Sequence, residues 1–248
     1  MNNPHLIQAM GRSQYAEHQL YYVNAVPRAQ RQWTEPYVQL ASFDPAEVNL
    51  GIRIERRHVV VDDSGAGRTV ALEPLVFSRS NVSGANIAGT LVNLLLVLNN
   101  LKPMLAGCHV IVIERQLFKK NPDASRIFQH ILTWLLIEVG QGPLCPDIYE
   151  VDPKWVKQMM SLRVGKGKGN KTIIPYRVRA ILFHYRDIAS WQQLAGTGKK
   201  DDVADSFAQL EAICRTVGLP HLIDPGTYYC WANLDQVKTY LSIGACRG

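Results

Sequence analysis

The chain has 248 residues, 47% of them hydrophobic and 19% charged, enough for one large α/β domain or two small ones and too apolar for wholesale disorder. Its 27 Lys and Arg against 21 Asp and Glu leave a net charge of +6, a balance that suits a polyanionic partner without demanding one. The best apolar stretch, Ile87 to Leu98, is interrupted by Thr90 and Asn93, so no transmembrane helix and no membrane partner are expected.

Residues 1–37 read as an N-terminal arm. Three arginines against Glu17 and Glu35, with Ser13 the only serine, give weak support at most for organelle targeting. A strand is predicted over 38–44, ending at Asp44-Pro45. Gly51 to Arg57 alternates apolar and charged residues, the period of a half-buried strand, and His58 to Val61 extend it to the turn-rich loop 62–67. Thr69 to Phe77 is a further strand, with Pro74 arguing for an edge or a break. These strands read as antiparallel hairpins. The pattern then changes. Asn86 to Leu101 is a long apolar helix closed by Pro103 and Gly107, and Cys108 to Ile113 has the continuous Val/Ile content of a parallel strand buried on both faces. A helix over 124–139, a strand over 147–151 and a helix from Pro153 to about Leu162 follow. After a basic glycine loop (163–171) come a long helix from Pro175 to Leu194, another from Asp201 to Val217, and a short helix in the tail. Hairpins first and strand–helix alternation afterwards predict one mixed sheet with helices packed on it.

The five cysteines, Cys108, Cys145, Cys214, Cys230 and Cys246, are odd in number and never spaced C-x-x-C. Neither zinc nor a disulfide framework is suggested, and a reducing, intracellular compartment fits best. Four carboxylates carry more information. Asp44 ends the first predicted strand and Glu114 ends the buried parallel one; if those strands are neighbours about 4.8 Å apart, the acids meet at one sheet edge. Asp202 and Asp205, three apart at a helix start, share one helix face. Taken singly, Asp before Pro is a common turn residue, and acids at a helix start are favourable caps. Taken together, two bare carboxylates about 4 Å apart repel by roughly 4 kcal/mol at an effective dielectric near 20, so four converging ones need protons or divalent cations. Oxygen-only ligands suit magnesium or manganese, and paired ions are a common device for phosphodiester hydrolysis.

The same residues carry a family resemblance. Ser42-Phe43-Asp44-Pro45 with Asn49-Leu50-Gly51 resembles the first motif of RuvC-like Holliday junction resolvases, the Asn-Leu pair being similar to the poxvirus and fungal mitochondrial branches in particular. Val112-Ile113-Glu114-Arg115-Gln116 resembles their second acidic motif, and Lys199-Lys200-Asp201-Asp202-Val203-Ala204-Asp205-Ser206 the final poxvirus-type motif. Asp152-Pro153-Lys154-Trp155-Val156-Lys157 is similar to the segment with the family's active-site lysine, here Lys157. The chain departs from the pattern at Ala46, where relatives have Gly, and at Ser206, where they have Ala. The resemblance spans about residues 38 to 215. It implies an RNase H-like α/β fold, a homodimer, and two symmetric cuts in a four-way DNA junction leaving 5′-phosphate and 3′-hydroxyl ends.

The loop Arg163 to Thr172 nearly matches a P-loop. Asn170 stands where the last glycine should be, and a helix rather than a strand precedes it, so no nucleotide cofactor is expected. What remains open is a merely solvated basic loop or contact with a phosphate backbone by Lys166, Lys168 and Lys171. The resemblance implies a second functional lysine, for which Lys171 is the best candidate. Phe118, just past the Glu114 motif, is a candidate wedge between junction bases; Trp134, Phe183 and Trp191 read as core.

The sequence thus predicts a five-stranded mixed sheet with helices on both faces, a domain over 38–218, and a C-terminal helical extension over 219–248 packed on it. Asp44, Glu114, Asp202 and Asp205 would hold two Mg²⁺ ions per site, Mn²⁺ substituting. Lys157 would act on the scissile phosphate, and Lys166, Lys168, Lys171, Lys200 and Phe118 would contact branched DNA. The expected setting is cytoplasmic or virus-associated. The alternatives are a nuclease for flaps, Y-junctions or RNA–DNA hybrids, and a non-catalytic DNA-binding protein.

Overall fold

The computed structural model describes residues 20–24, 36–61, 67–118, 121–141, 145–159, 170–196, 201–217, 219 and 222. Its strands are β1 (Leu20–Tyr22), β2 (Tyr37–Asp44), β3 (Leu50–Val61), β4 (Gly67–Ser80), β5 (Val110–Glu114) and β6 (Asp147–Val151). Its helices are α1 (Ile87–Ala106), α2 (Pro122–Glu138), α3 (Pro153–Met159), α4 (Asn170–His184), α5 (Ile188–Gly196) and α6 (Asp201–Thr216). The strands form one sheet in the order β1-β6-β5-β2-β3-β4. β2, β3 and β4 pair antiparallel, whereas β5 lies parallel to both β2 and β6, as the change of pattern along the chain predicts. The five expected strands are β2 to β6. The sixth, β1, lies within the segment read as an arm and pairs antiparallel with β6. Three residues are too few to show a period. Asn24 holds the strand instead, donating to the Pro146 carbonyl (3.0 Å) and accepting from the Ile148 amide (2.7 Å).

Helices cover both faces. Leu94 and Leu98 of α1 and Ile127, Ile131 and Trp134 of α2 pack with Ile111 and Ile113 on one side. Residues of α3, α4, α5 and α6 pack with Val110 and Val112 on the other. Alternate residues of β5 thus enter different cores, which is why its sequence is apolar without interruption. By length and composition alone α1 could cross a membrane. Here Leu94, Leu98 and Leu105 lie in the core, while Ile87, Val92, Leu95 and Leu96 are exposed.

Three expectations need correction. Pro103 does not close α1, which runs on to Ala106 with Gly107 as its C-cap; a proline costs a helix one hydrogen bond without necessarily ending it. The long helix expected from Pro175 to Leu194 is two helices. α4 begins earlier, at Asn170, and ends before a turn in which Arg186 has φ 58°. Asp187 then caps α5 by accepting from the Ser190 amide at 3.1 Å. The third correction is the largest. The charged face of β3 is not exposed: Arg53, Glu55 and Arg57 are fully buried beneath α6.

Those charges satisfy one another. Glu55 accepts from Arg53 Nε (2.7 Å) and Arg57 Nε (2.8 Å). Arg53 also donates to Asp187 (2.9 Å) and Ser190 (2.7 Å), and Arg57 donates to Glu211 of α6 (3.0 Å), which accepts in turn from Arg215 (3.0 Å). The chain Asp187–Arg53–Glu55–Arg57–Glu211–Arg215 balances three negative charges against three positive ones. Burial alone would raise the Glu55 pKa, but the guanidinium charges of Arg57 and Arg53 hold it below the usual carboxylate range. Beyond α6, Leu219 and Leu222 join the same core, and the Leu222 amide donates to Glu211 (3.1 Å). The rest of the expected C-terminal extension, with Cys230 and Cys246, lies outside the described residues; Cys108, Cys145 and Cys214 are buried thiols in no disulfide.

Glu55→Leu would leave two guanidinium groups buried without their shared partner, so it should destabilise the protein by about 3–5 kcal/mol. Removing the half-buried Glu73, which lies 3.5 Å from Arg56 and 3.3 Å from His58 in a solvent-accessible pairing, should cost under about 1 kcal/mol. Denaturant midpoints of Glu55→Leu and Glu73→Gln measure the contrast.

Candidate active site

Strand register brings the first two acids together. Phe43 is opposite Ile113 in the parallel β2–β5 ladder, and Asp44 and Glu114 each follow by one residue. Strand side chains alternate, so Asp44 falls on the face of Val38 and Leu40, and Glu114 on that of Val110 and Val112. That is the face covered by α6. The acids therefore sit on adjacent central strands, at their carboxyl ends, beneath the helix that carries the other two.

Gly51 sets how closely that helix approaches. A Cβ there would lie 2.5 Å from the Asp202 carbonyl oxygen and 3.3 Å from Asp44 Cβ, so only glycine lets the start of α6 rest on β3 beside Asp44. One turn on, Ser42 Oγ donates to the Ser206 carbonyl at 2.5 Å. Ser206 is buried, and its own hydroxyl donates to the Val203 carbonyl (2.8 Å), so it is satisfied within the helix.

Glu114 is held by two amides. Gln116 Nε2 donates to Oε1 (3.2 Å) and Gln209 Nε2 to Oε2 (3.3 Å). Burial pushes its pKa up to about 8, the charge of Asp205 adds to the rise, and the Lys157 ammonium on α3 opposes it. Asp205 and Lys157 are thereby electrostatic neighbours of Glu114. Both Gln116 and Gln209 are absent from the sequence-derived site. The signal for Gln209 is its place four residues after Asp205 and seven after Asp202, on the same face of α6.

Oxygen donors on a face that tolerates negative charge poorly match a hard divalent cation in type. The match is one of donor chemistry and charge: among the described residues, no three Asp, Glu, His or Cys side chains stand close enough to form a ready-made cage. Of the DNA-contact candidates, Phe118 is largely exposed at the turn beyond Glu114. Lys171 lies in the first turn of α4 rather than in a loop, and Lys166, Lys168 and Lys200 fall outside the described residues.

The raised Glu114 pKa has a definite consequence for stability. With a folded pKa of about 8 and an ordinary value of 4.5, the folded state binds the proton more tightly than the unfolded chain does. Metal-free protein should therefore lose stability as pH rises from about 4.5 through about 8. Glu114→Gln removes that dependence. Melting curves in EDTA should show little difference between variant and parent below the window and a more stable variant above it.

No protein-family model and no curated protein matches the chain. Among solved structures, the yeast mitochondrial Holliday junction resolvase Ydc2 is similar over 87% of this chain and 89% of its own, at 14% identity and a TM-score of 0.47. Thermus thermophilus RuvC is similar over 73% of this chain and 97% of its own, at 19% identity and 0.47. The same protein in complex with a Holliday junction substrate covers the same shares at 16% identity and 0.38. On the order and direction of its own strands, with helices on both faces of the sheet, the chain has the RNase H-like fold.

Proposed function

We propose that this protein is a metal-dependent endonuclease of the RuvC-like type that resolves four-way DNA junctions. One observation carries the reading: Asp44 and Glu114 end adjacent central strands on the face over which α6 brings Asp202 and Asp205. The motif resemblance, which includes all four acids and Lys157 in order, supplies the substrate class. Asp44, Glu114, Asp202 and Asp205 would hold Mg²⁺, with Mn²⁺ able to substitute. Divalent cations bound there would activate the attacking water and offset charge on the leaving 3′ oxygen.

The chain's own residues would do the rest. Gln116 and Gln209 would orient the Glu114 carboxylate. Lys157 would stand against the charge that grows on the scissile phosphate, a contribution made mainly in the transition state. Lys166, Lys168, Lys171 and Lys200 would neutralise backbone phosphates, and Phe118 would lie against unstacked bases. Two opposed cuts require two sites related by a twofold axis. The exposed apolar residues of α1, Val92, Leu95 and Leu96, favour a second copy as partner.

Asp44→Asn, Glu114→Gln and Asp202→Asn should each abolish cleavage of a synthetic four-way junction and leave its binding intact or tighter. A variant within about tenfold of the parent, a loss of only ~1.4 kcal/mol, would remove that residue from the site. Parallel assays on flap, Y-junction and RNA–DNA hybrid substrates, with Mg²⁺ and with EDTA, decide the substrate. Equal cutting of all four would overturn junction selectivity, and junction binding without cutting would leave a DNA-binding protein. Light scattering should give the mass of two chains.

A further inference from the structure

We infer that β1 is a working part of the site: Tyr21, Arg115 and Asp152 form a relay of positioning residues that fixes the helix carrying Lys157. The inference rests on the reading of Lys157 given above and adds to it the N-terminal segment, to which the motif resemblance does not extend.

Consecutive residues at the end of β5 face opposite sides of the sheet. Glu114 turns toward α6, and Arg115 turns the other way. The Arg115 amide donates to the Val151 carbonyl (2.8 Å), extending the β5–β6 ladder past Glu114. Its guanidinium then reaches three groups. Nη2 lies 3.0 Å from Asp152 Oδ2 and Nε lies 3.4 Å from Glu150 Oε1. The Tyr21 ring covers its other side, 4.9 Å from Cζ, and Tyr21 is paired with Glu150 across the β1–β6 ladder. An aromatic face, a cross-strand carboxylate and a second carboxylate thus hold one side chain.

Asp152 passes that placement on. Its second oxygen, Oδ1, accepts from the Lys154 amide at 2.8 Å, and its carbonyl accepts from the Val156 amide at 3.2 Å. It therefore caps α3, a helix of seven residues, too short to hold its shape without tertiary support. Lys157 is the next residue after Val156, in the last turn of the short helix that Asp152 starts. Trp155 and Val156 bury the helix against the core, which sets its height; the cap, tied to Arg115, sets its direction. Loss of the Tyr21 ring would free Arg115 to swing toward solvent and would loosen the cap on which the Lys157 direction depends.

The test uses the full chain with Tyr21→Ala, Tyr21→Phe, Asp152→Ala and Lys157→Ala. Single-turnover junction cleavage at saturating protein should fall about fivefold in Tyr21→Ala and about thirtyfold in Asp152→Ala, with junction affinity within about twofold of the parent. Tyr21→Phe, which keeps the ring and loses only the hydroxyl that hydrogen-bonds with Arg115, should recover part of the rate. On the Lys157→Ala background Tyr21→Ala should cost nothing further, because a residue that acts through Lys157 has nothing left to position. Hydrogen exchange should show the α3 amides losing protection in Tyr21→Ala while those of α6 keep theirs. A full further loss on the Lys157→Ala background, or unchanged α3 exchange, overturns the relay. If Lys157→Ala itself cuts at the parental rate, or the parent does not cut at all, the functional reading fails, and the exchange measurement still decides whether β1 holds α3.

Discussion

Arg53, Glu55 and Arg57 occupy one face of a strand whose other face, Ile52 and Ile54, is equally buried, so β3 carries charge into the centre of the protein. Each ion costs several kcal/mol to take out of water, and the cost is met only if every partner is in place. The partners come from two separate segments: Asp187 and Ser190 from the start of α5, Glu211 and Arg215 from α6. This dependence ties the sheet to the helices more narrowly than apolar contact would. A Leu can slide on its neighbours; a buried carboxylate shared by two guanidinium groups cannot. The same constraint accounts for the break between α4 and α5, where Asp187 both caps a helix and takes Arg53.

The network also fixes the site. α6 is clamped through Glu211 near its far end, and at its start Asp202 rests beside Asp44 over a glycine that admits no side chain. Between these anchors, Asp205 and Gln209 have little freedom in where they meet Glu114. Neutralised charges lie deep under the helix, and carboxylates gather at its start, where burial and the Asp205 charge push the Glu114 pKa up to about 8. One helix thus separates the ions that hold the fold from the acids of the candidate site.

The two halves of the sheet differ in the same sense. At β3 the charges are closed in. At the carboxyl end of the β5–β6 pair, Arg115 and Glu150 are only partly buried, and Tyr21 of β1 lies over Arg115. Contacts of this kind are individually weak, so they can hold α3 in place without locking it.

Much of this was legible in the sequence because it is local or periodic. The Val/Ile run before Glu114, the alternation in β3, the acids at the start of α6 and the change from hairpins to strand–helix alternation all follow from side-chain periods of two and 3.6 residues. The order of the four acids and Lys157 was legible through motif resemblance. The direction in which β3 faces was not. An alternation of Ile with Arg and Glu reads the same whether the charged face meets water or meets Glu211, 154 residues further on. Nor could a three-residue strand show a period, or Gln209 reveal that its amide meets Glu114 from 95 residues away. The sequence by itself determined five of the six strands, most of the helices and which acids lie near their ends, because those depend on neighbours along the chain. Only the tertiary structure decided which charges are buried and which carboxylates face one another, because a charge is tolerated or forbidden by partners that the chain brings from a distance.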